Sequence, residues 1–316
     1  MSKKILITGG SGFIAKSLYE DFSNHYFSPV ENNVVSLSRY ELDLMDDKDV
    51  VEYLKKEKFD VVIHTANYDA IPTFTDKDPL HVLENNLRMF FNIAVCKDYF
   101  GKMIFFGSGA EAGRNSWKPR MNEGYIESNI PPDQYGFSKW IMNRFAWNQD
   151  AMGAGAVKNI YNLRLFGAFG KFDDWRYRFI PNACCKAVLG MPITIKKDIL
   201  FDYLYIDDLI KMVKWIIEGN PKKNSYNACT GKVHSYTQLA EKVVEMSGKD
   251  LEIKVLDSRI EQRFTFRGSE YSGDNNRFLS ENKDFIYTPM EEALSSLYQW
   301  YASRPHLIDK DQLELK

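Results

Sequence analysis

Along the first half of the chain, short apolar runs alternate with segments whose apolar residues recur at three- and four-residue spacing. Lys4–Thr8, Val34–Leu37, Asp60–Thr65, Met103–Phe106 and Asn159–Phe166 read as strands, and the stretches between them as amphipathic helices. Repetition of strand then helix predicts an α/β chain built on a doubly wound parallel sheet with helices on both faces. After Gly170 the pattern loosens. It predicts a helix near Phe179–Leu189, strands near Ile193–Lys196 and Leu200–Ile206, and a helix from Asp207. A strand near Tyr226–Ala228 and helices near Thr237–Ser247 and Met290–Tyr301 follow. The division expected is a main domain over residues 1–170, with segments near 199–230 interleaved into it, and a smaller lobe formed mainly by 171–316.

Composition narrows the partners. In 316 residues, 41 Lys and Arg nearly balance 43 Asp and Glu, so no strong field recruits nucleic acid or an anionic membrane. The partner expected is a small molecule. The apolar stretch after Lys3-Lys4 ends at Gly9-Gly10, too soon for a secretory core, and no run approaches bilayer length. Cys96, Cys184, Cys185 and Cys229 lack the spacing of a metal site or a disulfide framework, which fits a reducing cytoplasm. His64 and the other histidines do not cluster, so no metal is expected.

Candidate chemistry begins at Ile7–Ala15, ITGGSGFIA, which sets Gly9, Gly12 and Ala15 at the spacing of a dinucleotide-binding loop. Gly9 permits the tight turn, Gly12 admits a pyrophosphate to the backbone, and Ala15 allows close helix–strand packing. Such turns also arise for structural reasons alone. Their position after the first strand favours the ligand. Tyr135 and Lys139 in YGFSK share a helix face, so an ammonium stands where it can assist proton transfer by a phenol. Ser108, at the end of the fourth strand, lies where such sheets place their ligands and offers a hydroxyl to a carbonyl oxygen.

In this order the pieces resemble the extended short-chain dehydrogenase/reductase family over nearly the whole chain. The resemblance rests on TGGSGFIA, DLMD, VIHTA, the NN of LENNLRMFFNIA, GSGAEAG, YGFSK, LRLFGAFG and YLYIDD. It implies a Rossmann-type fold with a C-terminal substrate lobe, Ser108, Tyr135 and Lys139 as the catalytic set, and a nucleotide-linked sugar as substrate. It further implies cofactor contacts at Gly9, Gly12, Phe13, Ile14, Ser38, Arg39, Asp43, Leu44, Ala66, Lys139 and Leu165. For the diphosphate, members carry an arginine before Y-L-x-I-D-D, where this chain has Phe201, and another in a stretch matched by Arg267. Arg178 can compensate for the missing charge. Ser108 and Asn182 are the other substrate contacts, with Phe172 and Trp175 as neighbours for the base. Pairing of the helix after Pro79 with the Tyr135 helix of a second copy implies a homodimer, for which Phe90, Phe91, Trp140, Phe145 and Trp147 are available.

Ser38-Arg39 stands where an NAD-binding protein places a carboxylate, and a guanidinium there suits a 2′-phosphate, so NADP(H) is expected. Glu41 is expected to lie beyond the strand end and leave this choice intact. The stretch SLSRYELDLMD resembles the NADPH-using GDP-fucose synthase branch, whose epimerising cysteine and histidine correspond here to Ala110 and Arg178. Neither can shuttle protons as those groups do. Family dehydratases have Asp-Glu after the catalytic hydroxyl residue, where this chain has Gly109-Ala110, with Glu111 one place late. The expectation is therefore NADPH-dependent reduction of the 4-keto group of a nucleotide-linked (deoxy)sugar. The alternatives are 4-epimerisation with a retained dinucleotide and a non-catalytic NADP-binding sensor or scaffold.

Overall fold

Alternate residues of the central strands enter two different cores. Ile5, Ile7, Val61, Ile63, Ile104 and Phe106 face one, and Leu6, Val62, Met103 and Phe105 face the other. Side chains alternate across a pleated strand, so strands covered on both faces must be apolar at successive positions. That is why these runs read as continuous rather than alternating.

The computed structural model describes residues 3–26, 33–70, 75–147, 159–256 and 270–313. The first half contains β1 (Ile5–Thr8), α1 (Phe13–Asp21), β2 (Val34–Leu37), α2 (Asp47–Glu57), β3 (Phe59–His64), α3 (Val82–Ala94), β4 (Phe100–Ser108), α4 (Glu123–Ser128), α5 (Gln134–Trp147) and β5 (Ile160–Leu165). Next come β6 (Ala168–Phe169), α6 (Phe179–Leu189), β7 (Ile193–Ile195), β8 (Leu200–Phe201), β9 (Leu204–Tyr205), α7 (Ile206–Glu218) and β10 (Ser225–Ala228). The chain continues through β11 (His234–Ser235), α8 (Tyr236–Ser247), β12 (Ile253–Val255), β13 (Glu270–Tyr271), α9 (Asn276–Glu281), α10 (Met290–Ala302) and α11 (Lys310–Leu313).

Six strands form one parallel sheet in the order β2-β1-β3-β4-β5-β10. The α/β fold with a doubly wound parallel sheet is borne out. The chain reverses direction across the sheet at β1, which pairs with β2 on one side and β3 on the other, and the crevice so formed opens at their carboxyl ends. Helices α1 and α7 cover one face, and α2, α3 and α5 the other. A separate core joins α6, α8 and α10 into a lobe around Cys184, Cys185, Leu239, Leu294 and Tyr301.

The expected strand Leu200–Ile206 is two short strands belonging to different sheets. β8 pairs with β11 and β13, whereas β9 pairs with β6. Between them the buried Asp202 carboxylate accepts hydrogen bonds from Thr230 N–H at 2.9 Å, Thr230 Oγ1 at 2.7 Å and Gly231 N–H at 2.9 Å. The aromatic residues expected to be available to a second copy are partly used inside the chain. Phe90, Phe91 and Phe145 pack edge to face where α3 meets α5, while Trp147 is half exposed.

Candidate active site

Gly9 has φ +73°, and a Cβ placed on it would stand 2.8 Å from the backbone of Ala66. Glycine alone combines that dihedral with so close an approach. The approach joins the loop after β1 to the end of β3, at the crevice, and a Cβ on Gly12 would crowd the Gly9 carbonyl at 3.2 Å. The backbone there is shaped as a dinucleotide cradle requires, with Gly12 capping α1 and Phe13 and Ile14 opening it. Ala66 and Leu165 flank the same carboxyl edge, after β3 and at the end of β5.

At the end of β2 the arrangement is less simple. Arg39 is exposed, its guanidinium 5.4 Å from the Tyr40 ring. Glu41 lies past the strand, as expected, yet its carboxylate returns to accept from Ser38 N–H at 2.7 Å and Ser38 Oγ at 2.9 Å. The Ser38 side chain expected beside a 2′-phosphate is thus already engaged by Glu41. Asp43 accepts from Met45 N–H, and Leu44 is buried with its carbonyl held by Asn92. Those contacts set the turn that leads to the Asp46-capped helix α2.

Ser108, Tyr135 and Lys139 come together. Ser108 ends β4 and caps a short turn over Gly109–Ala112, its Oγ accepting from Ala110 N–H at 3.1 Å. Helix α5 presses onto that turn so closely that a Cβ on Gly136 would lie 2.5 Å from the Ala110 carbonyl. The Ser108 side chain thereby stands close enough to Tyr135 to favour its phenolate. Burial, and then the charge of Asp69, push the Tyr135 phenol up to about 12, against Ser108, Arg178 and Arg114, which favour the phenolate. Lys139 lies 5.8 Å from the Tyr135 ring centroid and is buried. Burial brings its ammonium down to about 8, while Glu111 and Asp69 hold the proton on. Besides the lysine expected from the helix spacing, Ser108 and two arginines favour the phenolate. His64 is an internal residue: its Nδ1 lies 3.0 Å from Thr8 Oγ1, and burial, with Lys139, brings it to about 3.

A cavity of about 880 Å³ adjoins this set through Asp69, Arg114 and Arg178. Arg176, Lys186, Lys196, Lys197 and Lys254 add further positive charge to its wall, against Asp69 and Asp173. Phe166, Tyr177, Phe201 and Tyr203 supply aromatic faces. Arg178 is half exposed on this wall and lies 3.6 Å from Asp173. Asn182 also lines the cavity but donates its amide to the Trp175 carbonyl at 2.9 Å, tying the approach loop to α6. Arg267 lies outside the described residues. Phe172 and Trp175 do not line the cavity, because Phe172 packs edge to face on Trp300 and Trp175 joins the lobe core. Among the described residues no cluster could hold a metal ion, and no helix is long and apolar enough to cross a membrane.

Sequence reasoning missed Asp69, Arg114, Asp173 and Tyr271. Tyr271 also stands against Ser108, and its hydroxyl would lie 2.3 Å from a Cβ on Gly109. It reaches the site because β13 pairs with β8, a contact no local pattern announces. Gly109 was the available signal, since a glycine beside the reactive hydroxyl marks a close approach.

Lys139 should lose its proton near pH 8, about two units below an exposed lysine. Titration of carbon-13-labelled lysines by magnetic resonance, with Lys139→Met to assign the signal, checks this. A Lys139 signal titrating above pH 10 would contradict the buried placement.

Comparison with known proteins agrees with the architecture. The pattern of the "NAD dependent epimerase/dehydratase family" matches residues 5–229. The bifunctional UDP-glucose 4-epimerase and UDP-xylose 4-epimerase 1 of Pisum sativum is 24% identical over 304 residues, covering 82% of this chain and 85% of that protein. The crystal structure of a GDP-L-fucose synthetase from Naegleria fowleri is similar with TM-score 0.81 and 20% identity, over 97% of this chain and 94% of that one. A GDP-mannoheptose C4 reductase from Campylobacter jejuni with NADP bound gives TM-score 0.77 and 19% identity, over 95% and 99%. With that match across most of the chain, a six-stranded parallel sheet and a glycine loop at its switch point, the protein belongs to the NAD dependent epimerase/dehydratase family, the extended short-chain dehydrogenases/reductases.

Proposed function

We propose that the protein reduces the 4-keto group of a nucleotide-linked sugar with NADPH. The observation that carries this reading is the Ser108 side chain set against the buried Tyr135 phenol, beside a cationic, aromatic-lined cavity whose Arg114 and Arg178 favour the phenolate. The loop Gly9–Ile14 with Ala66 and Leu165 would hold the dinucleotide, Asp43 and Leu44 its adenine, and Ser38 and Arg39 a 2′-phosphate. Bound there, NADPH supplies the hydride. Tyr135 gives its proton to the developing alkoxide, Ser108 donates a hydrogen bond to the same oxygen, and the Lys139 ammonium favours the proton's departure. Guanidinium forks suit a diphosphate, which assigns Arg178, with the cavity lysines, to the substrate's bridge; Ser108 and Asn182 complete the contacts, and Arg267 is proposed for the same role.

Two features support reduction over elimination or a second proton exchange. Glu111, the first acid after Ser108, is turned inward and ion-paired to Arg164, so it does not face the cavity. Ala110 and Arg178 offer no group that both takes and gives a proton near neutral pH. A specific observation favours the second reading, 4-epimerisation with a retained dinucleotide: the Glu41 carboxylate holds Ser38, and a negative charge there weakens the case for a 2′-phosphate. A homodimer through α3 and α5 accompanies either reading.

Several measurements check these proposals. NADPH should bind more tightly than NADH, and Arg39→Ala should narrow the difference by roughly 1.5–3 kcal/mol, the contribution of a well-placed charged hydrogen bond. Equal or tighter NADH binding by the unaltered protein would favour the epimerase reading. Purified protein offered GDP-, dTDP-, CDP- and UDP-linked 4-ketosugars should oxidise NADPH with one of them. Tyr135→Phe, which keeps the ring, should slow that turnover by about two to four orders of magnitude while NADPH still binds. Undiminished turnover would remove Tyr135 from the mechanism. Light scattering at micromolar concentration should report a dimer, and a monomer would reject the pairing.

A further inference from the structure

Ser108 stands on a polar network that lies wholly beneath the site. The side chains of Glu111 and Arg164 are both 0% exposed. Glu111 Oε1 accepts from the Ser108 N–H at 3.0 Å and from Asn162 Nδ2 at 3.4 Å. Its Oε2 accepts from Arg164 Nε at 2.9 Å and lies 2.8 Å from Arg164 Nη2. Arg164 Nη1 donates to Asn227 Oδ1 at 3.1 Å, and Glu127 lies 3.9 Å from Arg164 Nη2. The sequence makes room for this arrangement. A Cβ on Gly107 would stand 2.2 Å from Glu111 Oε1 and 2.4 Å from Asn162 Oδ1, so no larger residue fits before Ser108.

Stability alone gives no reason for such a pair, since well-packed apolar residues of similar volume commonly serve as well as a buried ion pair. Its placement suggests another task. The capping box formed by Ser108 and Glu111 fixes the turn from both ends, with the Ser108 side chain against Tyr135 and Tyr271. Glu111 is also the foremost charge favouring the Lys139 ammonium, ahead of Asp69 on the loop after β3. The other titratable or charged groups around Lys139 are His64 at the end of β3, Tyr135 on the same helix, and Arg164 behind Glu111 on β5.

We infer that Glu111, clamped by Arg164, is a positioning residue for the reaction, fixing the turn that carries Ser108. This rests on Ser108, Tyr135 and Lys139 being the reacting groups of the proposed reduction. The acid next after the catalytic hydroxyl thus acts from inside the protein, through Ser108, and touches neither substrate nor cofactor.

The test compares Glu111→Gln and the double variant Glu111→Gln/Arg164→Met with the unaltered protein. The double variant removes both charges, so it leaves no unpaired buried ion where the single variant fails to fold. In NADPH-dependent turnover, kcat should drop by about tenfold or more with KM changed less than about threefold. A folded variant whose kcat stays within about twofold of the unaltered protein, or whose KM rises as far as its kcat falls, would overturn the inference. Tyr135→Phe run in parallel separates the two ideas: if it keeps full turnover the proposed reaction fails, whereas if it is inactive and the kcat of the Glu111 variant is unmoved only the positioning role fails.

Discussion

The contact on which the site depends is the approach of α5 to the turn that follows β4. Gly136 has no Cβ, and without that absence the helix could not reach the Ala110 carbonyl. One residue earlier on the same helix is Tyr135 and three later is Lys139, so the closeness of a single backbone contact sets both reacting groups against Ser108. The turn itself cannot yield, because Glu111 and Asn162 hold it from below and Trp117 Nε1 donates to the Gly109 carbonyl at 3.1 Å. Preorganisation of this kind lets a hydroxyl and a phenol meet a developing charge without rearrangement at the moment of reaction. It also explains the glycines at 107, 109 and 136, each of which stands where a side chain would collide.

Electrostatics around the phenol come from several elements rather than from the Tyr-Lys pair alone. Burial raises the cost of ionising Tyr135 and of protonating Lys139, so each group is brought toward the range where a proton can be exchanged only with help from neighbours. Arg178 and Arg114 reach the phenol from the cavity side, and Asp69 opposes them. An anionic substrate entering the cavity would meet those arginines first. The same charges therefore serve attraction and reactivity, a common outcome where low-dielectric walls focus the field of a few ions.

The sheet and the gathering of Ser108, Tyr135 and Lys139 were legible because their signals are local: apolar runs of strand length, glycines at loop spacing, and a tyrosine four residues before a lysine. Helix α6 was read to its residue limits for the same reason, a periodic apolar segment ended by Gly190 in the left-handed conformation. What escaped depends on pairings distant in sequence. Tyr271 reaches Ser108 only because β13 joins β8, and the apparent strand Leu200–Ile206 divides where Thr230 and Gly231 come to the Asp202 carboxylate. Glu41 shows the same limit at short range, since its place beyond β2 was read correctly but the return of its side chain to Ser38 was not. Substrate contacts were the least legible, as a cavity wall of aromatics and lysines has no spacing of its own.

Net reduction driven from this site is most directly tested by the fate of a labelled hydride. The chain would be given a nucleotide-linked 4-ketosugar and NADPH carrying deuterium on the transferring face of nicotinamide C4, and the product examined by magnetic resonance. The account predicts deuterium at sugar C4 alone, with one NADP formed for each sugar consumed. Recovery of the unreduced 4-ketosugar with the NADPH unspent would contradict it.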